Sequence, residues 1–212
     1  MPYLTREASQ DESIPCRTMT AALELFVKEG YHKVSIHDIQ KQADVSIGSI
    51  YNHFGGKEGV AQGLYDHLLK EMDLVIDEVQ STSQSAEARC QTLIHRLLTY
   101  TETHRSIVAF IFGTRHREFL SGQTPLCSSR PFVRVREMVE QAIQQGHLRP
   151  MTPWVAASVV FGSTIRLIQL RLDGMIEQPL PELADEVISM VWQGVAATEY
   201  LSQAGLPRAS RG

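Results

Sequence analysis

The fold is decided by "SIHDIQKQADVSIGSIYNHF", residues 35–54. Ser35 stands where an N-cap belongs, and Asp38, three residues on, completes a capping box. A helix of about two turns then ends near Gln42. Ala43-Asp44-Val45 makes a short turn, and Ser46 caps a second short helix. Two short helices joined in this way form a helix-turn-helix over 35–54. Ile36, Ile39, Ala43, Val45, Ile50 and Phe54 supply the apolar contacts that lock the pair. With those removed, the second helix displays Ser46, Ile47, Gly48, Ser49, Tyr51, Asn52 and His53. These are mostly short donors and acceptors near a helix N-terminus, where backbone N–H groups and the dipole already favour phosphate. A helix entering a DNA major groove needs such an end: hydroxyls and amides for phosphates and base edges, and Gly for close approach.

Outward from this motif the pattern stays helical. A helix is expected over 13–28, with Met19, Ala22, Leu25 and Phe26 on one face and Gly30 past its end. From Lys57 a longer one stripes Val60, Leu64, Leu68, Met72, Val75 and Val79, until "STSQS" breaks it. Leu93, Ile94, Leu97 and Leu98 mark the next, and "HRSIVAFIF" a short apolar one. "GTRHREFLSGQTPLCSS" is an irregular connection. "RPFVRVREMVEQAIQQG" returns to helical spacing. Thr152-Pro153 opens another helix, closed by Asp173-Gly174, and Pro181-Glu182 opens the last. The expected fold is all-α, with a DNA-binding domain over 1–57 and a helical remainder over 58–212.

"AALELFVKEGYHKVSIHDIQKQADVSIGSIYNHFGGKEGV" resembles the N-terminal module of the TetR family, the tetracycline-repressor-like transcription regulators. Three pieces carry the resemblance in order and spacing: "AALELF…G", "VSIHDI" and "VSIGSIYNHFGGKEGV". It implies an N-terminal three-helix DNA-binding domain and a C-terminal helical domain for effector binding and dimerisation. Carried over by position, it makes Ser35, Ser49, Tyr51 and Lys57 phosphate contacts, and Ser46, Ile47, Gly48, Asn52 and His53 groove-facing. Asp44 departs from the family's usual Gly, but Asp tolerates left-handed geometry better than most residues. Gly56 replaces a common helix cap. The acidic segment before the first helix argues against a DNA-contacting arm.

The resemblance also implies a small-molecule effector in an apolar cavity among the central helices, and repression relieved by that effector is the commoner family mode. Candidate lining residues are Leu97, Tyr100, His104, Phe110, Trp154 and Phe161. Arg115 and His116 are candidates for orienting an anion at the cavity mouth, against the plainer reading of a solvated loop whose charges pair among themselves. The helix from Pro153 is apolar nearly all round at its start, which a single buried stripe does not require. Small residues, Gly162 among them, allow close approach of another helix. With the last helix it predicts a two-fold dimer through Val155, Val159, Gly162, Val187, Val191 and Val195, acting on a near-palindromic operator.

Composition bounds the alternatives. The chain has 212 residues, 43% hydrophobic and 21% charged, with a formal charge of −4, an ordinary globular balance. No apolar run approaches the roughly 20 residues of a membrane span. The polar N-terminus lacks the pattern of a signal peptide, so the cytoplasm is expected. Cys16, Cys90 and Cys127 are odd in number and far apart, giving no disulfide framework and no zinc spacing. His95 and His104 are too distant to share a metal, so no metal and no cofactor is expected. "GGKEG" fails as a phosphate loop, and HExxH, GxSxG and dinucleotide-binding glycine patterns are missing, so no catalytic residue is assigned. The remaining rival to an effector-responsive regulator is a ligand-independent DNA-architectural or structural protein.

Overall fold

The computed structural model describes residues 4, 13–82, 85–113, 116, 120 and 126–197. Among them are nine α-helices: α1 (Ile14–Glu29), α2 (Ile36–Ala43), α3 (Ile47–Phe54), α4 (Lys57–Thr82), α5 (Ala86–Thr103), α6 (Arg105–Gly113), α7 (Arg130–Gln144), α8 (Pro153–Leu172) and α9 (Ala184–Val195). The described residues form no strand beyond one antiparallel bridge between Leu148 and Ala196. The all-α expectation holds. Its last helix opens later than the sequence implied, because Leu180–Leu183 first makes a 3-10 turn.

Packing gathers the chain into two compact units, Met1–Val75 with His104–Ser129, and Ile76–Thr103 with Arg130–Gly212. This grouping by contact is drawn along other lines than the division expected at residue 57. In the first unit α1 packs on α2, α3 and α6. Its buried face, including Met19, Ala22 and Phe26, supplies the apolar floor for all three. Phe26 stacks on Phe110 of α6 with ring centroids 6.5 Å apart and leans on Tyr31 at 5.2 Å. Gly30, at φ 85°, takes the backbone geometry that ends α1 without the Cβ clash another residue would meet.

The chain leaves α3 through Gly55 and Gly56, both at positive φ, and enters α4 at once. A Cβ on Gly59 would lie 1.6 Å from the Phe54 carbonyl oxygen, and one on Gly63 3.0 Å from the Phe54 ring. Two glycines on one face of α4 thus form the seat on which the end of α3 rests.

In the second unit α5 packs on α7, α8 and α9, and α8 packs on α7 and α9. Glu102, at the end of α5, is its polar tie. Arg171 of α8 grips Glu102 with a two-pronged bond, Nε to Oε1 and a terminal guanidinium nitrogen to Oε2, both 2.9 Å. The same guanidinium reaches the carbonyls of Ile176 and Glu177, and Glu102 also accepts the Leu180 N–H at 3.3 Å. The planar fork of arginine suits this paired geometry, and it fixes the connection between α8 and α9. Arg134 of α7 likewise holds Asp77 and Gln80 at 2.6 and 2.8 Å.

Candidate nucleic-acid interface

The capping box over α2 is complete: Ser35 Oγ accepts the Asp38 N–H at 3.2 Å, and Asp38 accepts the Ser35 N–H at 2.8 Å. The Ser35 hydroxyl donates to the same carboxylate at 2.6 Å. These two bonds from Ser35 hold the Asp38 carboxyl below its usual range, since they favour the ionised form. Asp44 ends α2 in the left-handed region, φ 51° and ψ 53°, as the tolerance of Asp for that geometry allows.

Helix α3 follows with Ser46 as cap, its Oγ accepting the Ser49 N–H at 3.0 Å. The two hydroxyls also share a bond of 2.7 Å. One O–H is used within the pair, which leaves the other as a donor to an incoming oxygen. The N–H groups of the first turn have no acceptor inside the helix. Ile50 is fully buried, while Ser46, Gly48, Tyr51, Asn52 and His53 are exposed. Tyr51, 54% exposed, presents its hydroxyl outward from an apolar ring. Of the predicted residues around α3, Ser46, Gly48, Tyr51, Asn52 and His53 therefore face solvent, while Ile47 and Ser49 are half-buried.

Two predicted contacts are placed differently. The Ser35 hydroxyl is spent on Asp38, beside a negative charge. Lys57 Nζ donates to the carbonyls of Tyr31 and Val34 at 3.0 and 2.8 Å and lies 4.1 Å from the Tyr31 ring centroid. Burial lowers the pKa of this ammonium and, together with Glu58, raises that of the Tyr31 phenol.

Arg17 and Gln40 were not among the predicted residues. Arg17 Nε donates to the Ala43 carbonyl at 2.9 Å, and its guanidinium also reaches the Asp44 carbonyl and, at 3.1 Å, the Asp44 carboxylate. Gln40 Nε2 donates to the Val45 carbonyl at 2.9 Å. No spacing rule marks an arginine in α1 as the partner of a turn 26 residues later; only the unsatisfied carbonyls at the end of α2 hint that some donor must come.

The proposed effector residues fall in several environments. Phe110 is fully buried, and His116 touches both it and Tyr65, with ring centroids 4.9 Å apart in each case. Burial pushes the His116 pKa down to about 4, so its ring is neutral near neutral pH. Burial also lowers the pKa of His104. Phe161 is buried in the other unit, while Leu97 and Tyr100 are half-buried. Trp154 is 55% exposed with the Arg136 guanidinium 4.1 Å above its ring, the setting of a surface aromatic. Arg115 lies outside the described residues. Cys16 and Cys90 are buried and Cys127 exposed, all as free thiols; burial pushes the Cys90 thiol up to about 12, away from the thiolate that redox chemistry needs.

Along the outer side of α8, Trp154, Val155 and Val159 are exposed, as is Met190 of α9. A groove of about 410 Å³ runs between Val159, Ser163 and Leu167 on one side and Leu183, Val187 and Met190 on the other. Of the six residues assigned to a dimer face, Val155 and Val159 are exposed, and Gly162 and Val187 are half-buried. Val191 is 7% exposed in the groove, and Val195 lies in the unit's own core. Helix α8 also reaches the length and apolarity of a membrane span, with mean hydropathy 1.3 and 28% of that stretch buried. This departs from the expectation that no apolar run reaches that length. The helix is this apolar because apolar side chains occupy both its inner and its outer face.

The sequence model of the bacterial regulatory proteins of the tetR family matches residues 19–64, from the middle of α1 through the helix-turn-helix into α4. The chain belongs to the TetR family. It is 24% identical over 152 residues to the HTH-type transcriptional regulator YhgD of Bacillus subtilis (strain 168), covering 71% of this chain and 80% of that protein. Some other curated relatives match over shorter stretches, one over 47% of its own length. A TetR family transcription regulator from Marinobacter aquaeolei VT8 has a similar structure, with a TM-score of 0.71 at 18% identity over 89% of this chain and 98% of that one. The transcriptional regulator FadR from Bacillus subtilis, solved in complex with stearoyl-CoA, gives 0.65 at 18% identity over 84% and 97%. At such identities the two solved structures establish a shared fold. As a TetR-family protein, the chain is a transcriptional regulator with a helix-turn-helix DNA-binding module.

Proposed function

We propose that this TetR-family regulator is a homodimeric, cytoplasmic repressor that leaves a near-palindromic operator when a small-molecule effector binds. Residues 1–57 serve as the DNA-binding part, and 58–212 bind the effector and dimerise. The observation that supports the reading is α3: a capped helix exposing Ser46, Gly48, Tyr51, Asn52 and His53, with Ile47 and Ser49 half-buried, around one buried Ile50. In the DNA complex Ser49 and Tyr51 take phosphates, and Ser46, Ile47, Asn52 and His53 face the groove, with Gly48 allowing close approach. The apolar outer face of α8 and α9 supports dimerisation, since a second copy would cover Val155, Val159 and Met190 and form a four-helix interface. That occupant also accounts for an apolar α8 without any bilayer. Two heads so joined would set their recognition helices about 34–36 Å apart.

The effector is proposed to be a small molecule that carries an apolar chain. FadR from Bacillus subtilis is solved with stearoyl-CoA, whose acyl chain is apolar, and the candidate lining residues Leu97, Tyr100 and Phe161 of the second unit offer it apolar surface. A coupling of about 1–3 kcal/mol between effector and DNA suffices for control. The deciding experiment selects preferred duplexes from random-sequence DNA, then titrates the complex with fatty acyl-CoA thioesters, free fatty acids and lactones. The expected result is a near-palindromic site released by one of these classes. A site with no two-fold symmetry would overturn the dimeric reading, and DNA affinity indifferent to every compound would favour the ligand-independent architectural role.

A further inference from the structure

Two cations border the helix-turn-helix, and both point inward. Arg17 meets the far end of α2, where it donates to the carbonyls of Ala43 and Asp44 and pairs with the Asp44 carboxylate. Lys57 meets the near end, donating to the carbonyls of Tyr31 and Val34 just before α2 begins. We infer that Arg17 and Lys57 are positioning residues that fix α2 and α3 in their DNA-reading geometry, and that neither neutralises a phosphate. This rests on the DNA-binding role proposed above.

The donors fit the acceptors. A helix end leaves its last carbonyls without partners, and here three successive ones, of residues 43, 44 and 45, receive side-chain donors from Arg17 and Gln40. Asp44 is the described residue other than glycine with positive φ, so the turn depends on outside support where glycine would have needed little. The Asp44 carboxylate is 98% exposed, and such an ion pair contributes little; the carbonyl bonds do the holding. On the other side Lys57 has two of its three protons on carbonyls and an aromatic ring against its charge. Partial burial lowers the pKa of this ammonium. A lysine serving phosphate would keep its charge at the surface, extended on its flexible stem.

The two roles separate by their salt dependence. Losing one phosphate contact flattens the slope of log affinity against log salt by about 0.9 per head and weakens all sequences alike. Losing a positioning contact leaves the slope unchanged and reduces operator binding more than binding to a scrambled duplex. The probes are the selected operator and a scrambled duplex of equal length, bound to the full chain at several salt concentrations. Lys57→Met removes the charge and keeps the stem; Arg17→Lys keeps the charge and removes the fork. Each variant is expected to lose about tenfold in operator affinity, as for loss of a charge-assisted bond, with the preference for operator falling by the same factor and the slope unchanged. A flatter slope with the preference intact overturns the inference, and so does wild-type affinity in either variant. Should circular dichroism show Lys57→Met unfolded, Arg17→Lys decides alone, because a charge-only role predicts that it binds like wild type. A wild type that prefers no duplex would instead sink the DNA-binding reading, before any variant is compared.

Discussion

The exposed faces of α3 and α8 differ in what they leave to solvent. On α3 the outward groups are hydroxyls, an amide, an imidazole and a phenol, held by a cap and standing over one buried Ile50. On α8 they are Trp154, Val155 and Val159, joined by Met190 of α9. Water satisfies the first face fully, so it can wait for DNA and return to solvent at little cost. The second forfeits roughly 25 cal/mol for each Å² of apolar surface left wet. A polar exposed face suits a partner that comes and goes, whereas an apolar one calls for a partner that stays.

The strongest way to break this contrast is to charge the apolar face. Val159→Glu combined with Met190→Glu alters side chains that are 42% and 59% exposed, so each chain is expected to fold. The product should sediment as a monomer and lose about 10²- to 10⁴-fold in operator affinity, the scale on which two linked sites exceed one. A charged variant that stays dimeric and binds normally would place the permanent partner elsewhere.

The supports beneath the two faces can be separated by acid. His116 lies in the α3 unit, and its pKa falls from 6.5 unfolded to about 4 folded. Between those values the unfolded chain holds more protons, so stability is complete above pH 6.5 and declines as pH falls towards 4. The loss approaches roughly 3 kcal/mol if the whole shift is realised. Thermal unfolding from pH 7 to 4 should show the decline, and His116→Phe should flatten it. An unchanged pH dependence in that variant would assign the acid sensitivity to other groups.

Two smaller changes test the polar face itself. Asn52→Ala should alter base preference by about 1–3 kcal/mol at one position of each half-site, the worth of a lost two-bond base contact, with dimerisation untouched. Repeating the random-duplex selection reads this directly, and an unaltered consensus would remove Asn52 from the reading set. Ser46→Ala deletes the cap bond to the Ser49 N–H at 3.0 Å and should cost about 1 kcal/mol of stability. Denaturant unfolding measures it; no loss would mean that water caps α3 equally well.

Much of this was legible beforehand because the signals are local. The capping box of Ser35 and Asp38 and the cap at Ser46 depend on neighbours within a few residues and appear as the spacing implies, and Asp44 is left-handed as the resemblance implies. Helical stripes likewise placed α4, α5 and α7, and the end signals Thr152-Pro153 and Asp173-Gly174 placed α8. Distant pairings stayed hidden. Arg17 finds its acceptors 26 residues away, Lys57 bonds back to Tyr31 and Val34, and Arg171 reaches Glu102 across 69 positions. Nothing in periodicity tells a charged side chain to seek carbonyls and not solvent. Trp154 shows the same limit, since an aromatic in an apolar run looks internal until Arg136 is found lying over it.

The route of the chain bears on any attempt to graft parts between relatives. Residue 57 looks like a natural place to cut, yet α4 runs unbroken from Lys57 to Thr82, and the unit that carries α3 also takes in His104–Ser129. Phe26 rests on Phe110, and Phe54 sits on a notch that Gly59 and Gly63 leave open. A head transplanted at residue 57 would meet a foreign α6 and a foreign α4. The transferable cassette is therefore discontinuous: residues 1–75 together with 104–129, moved as one piece.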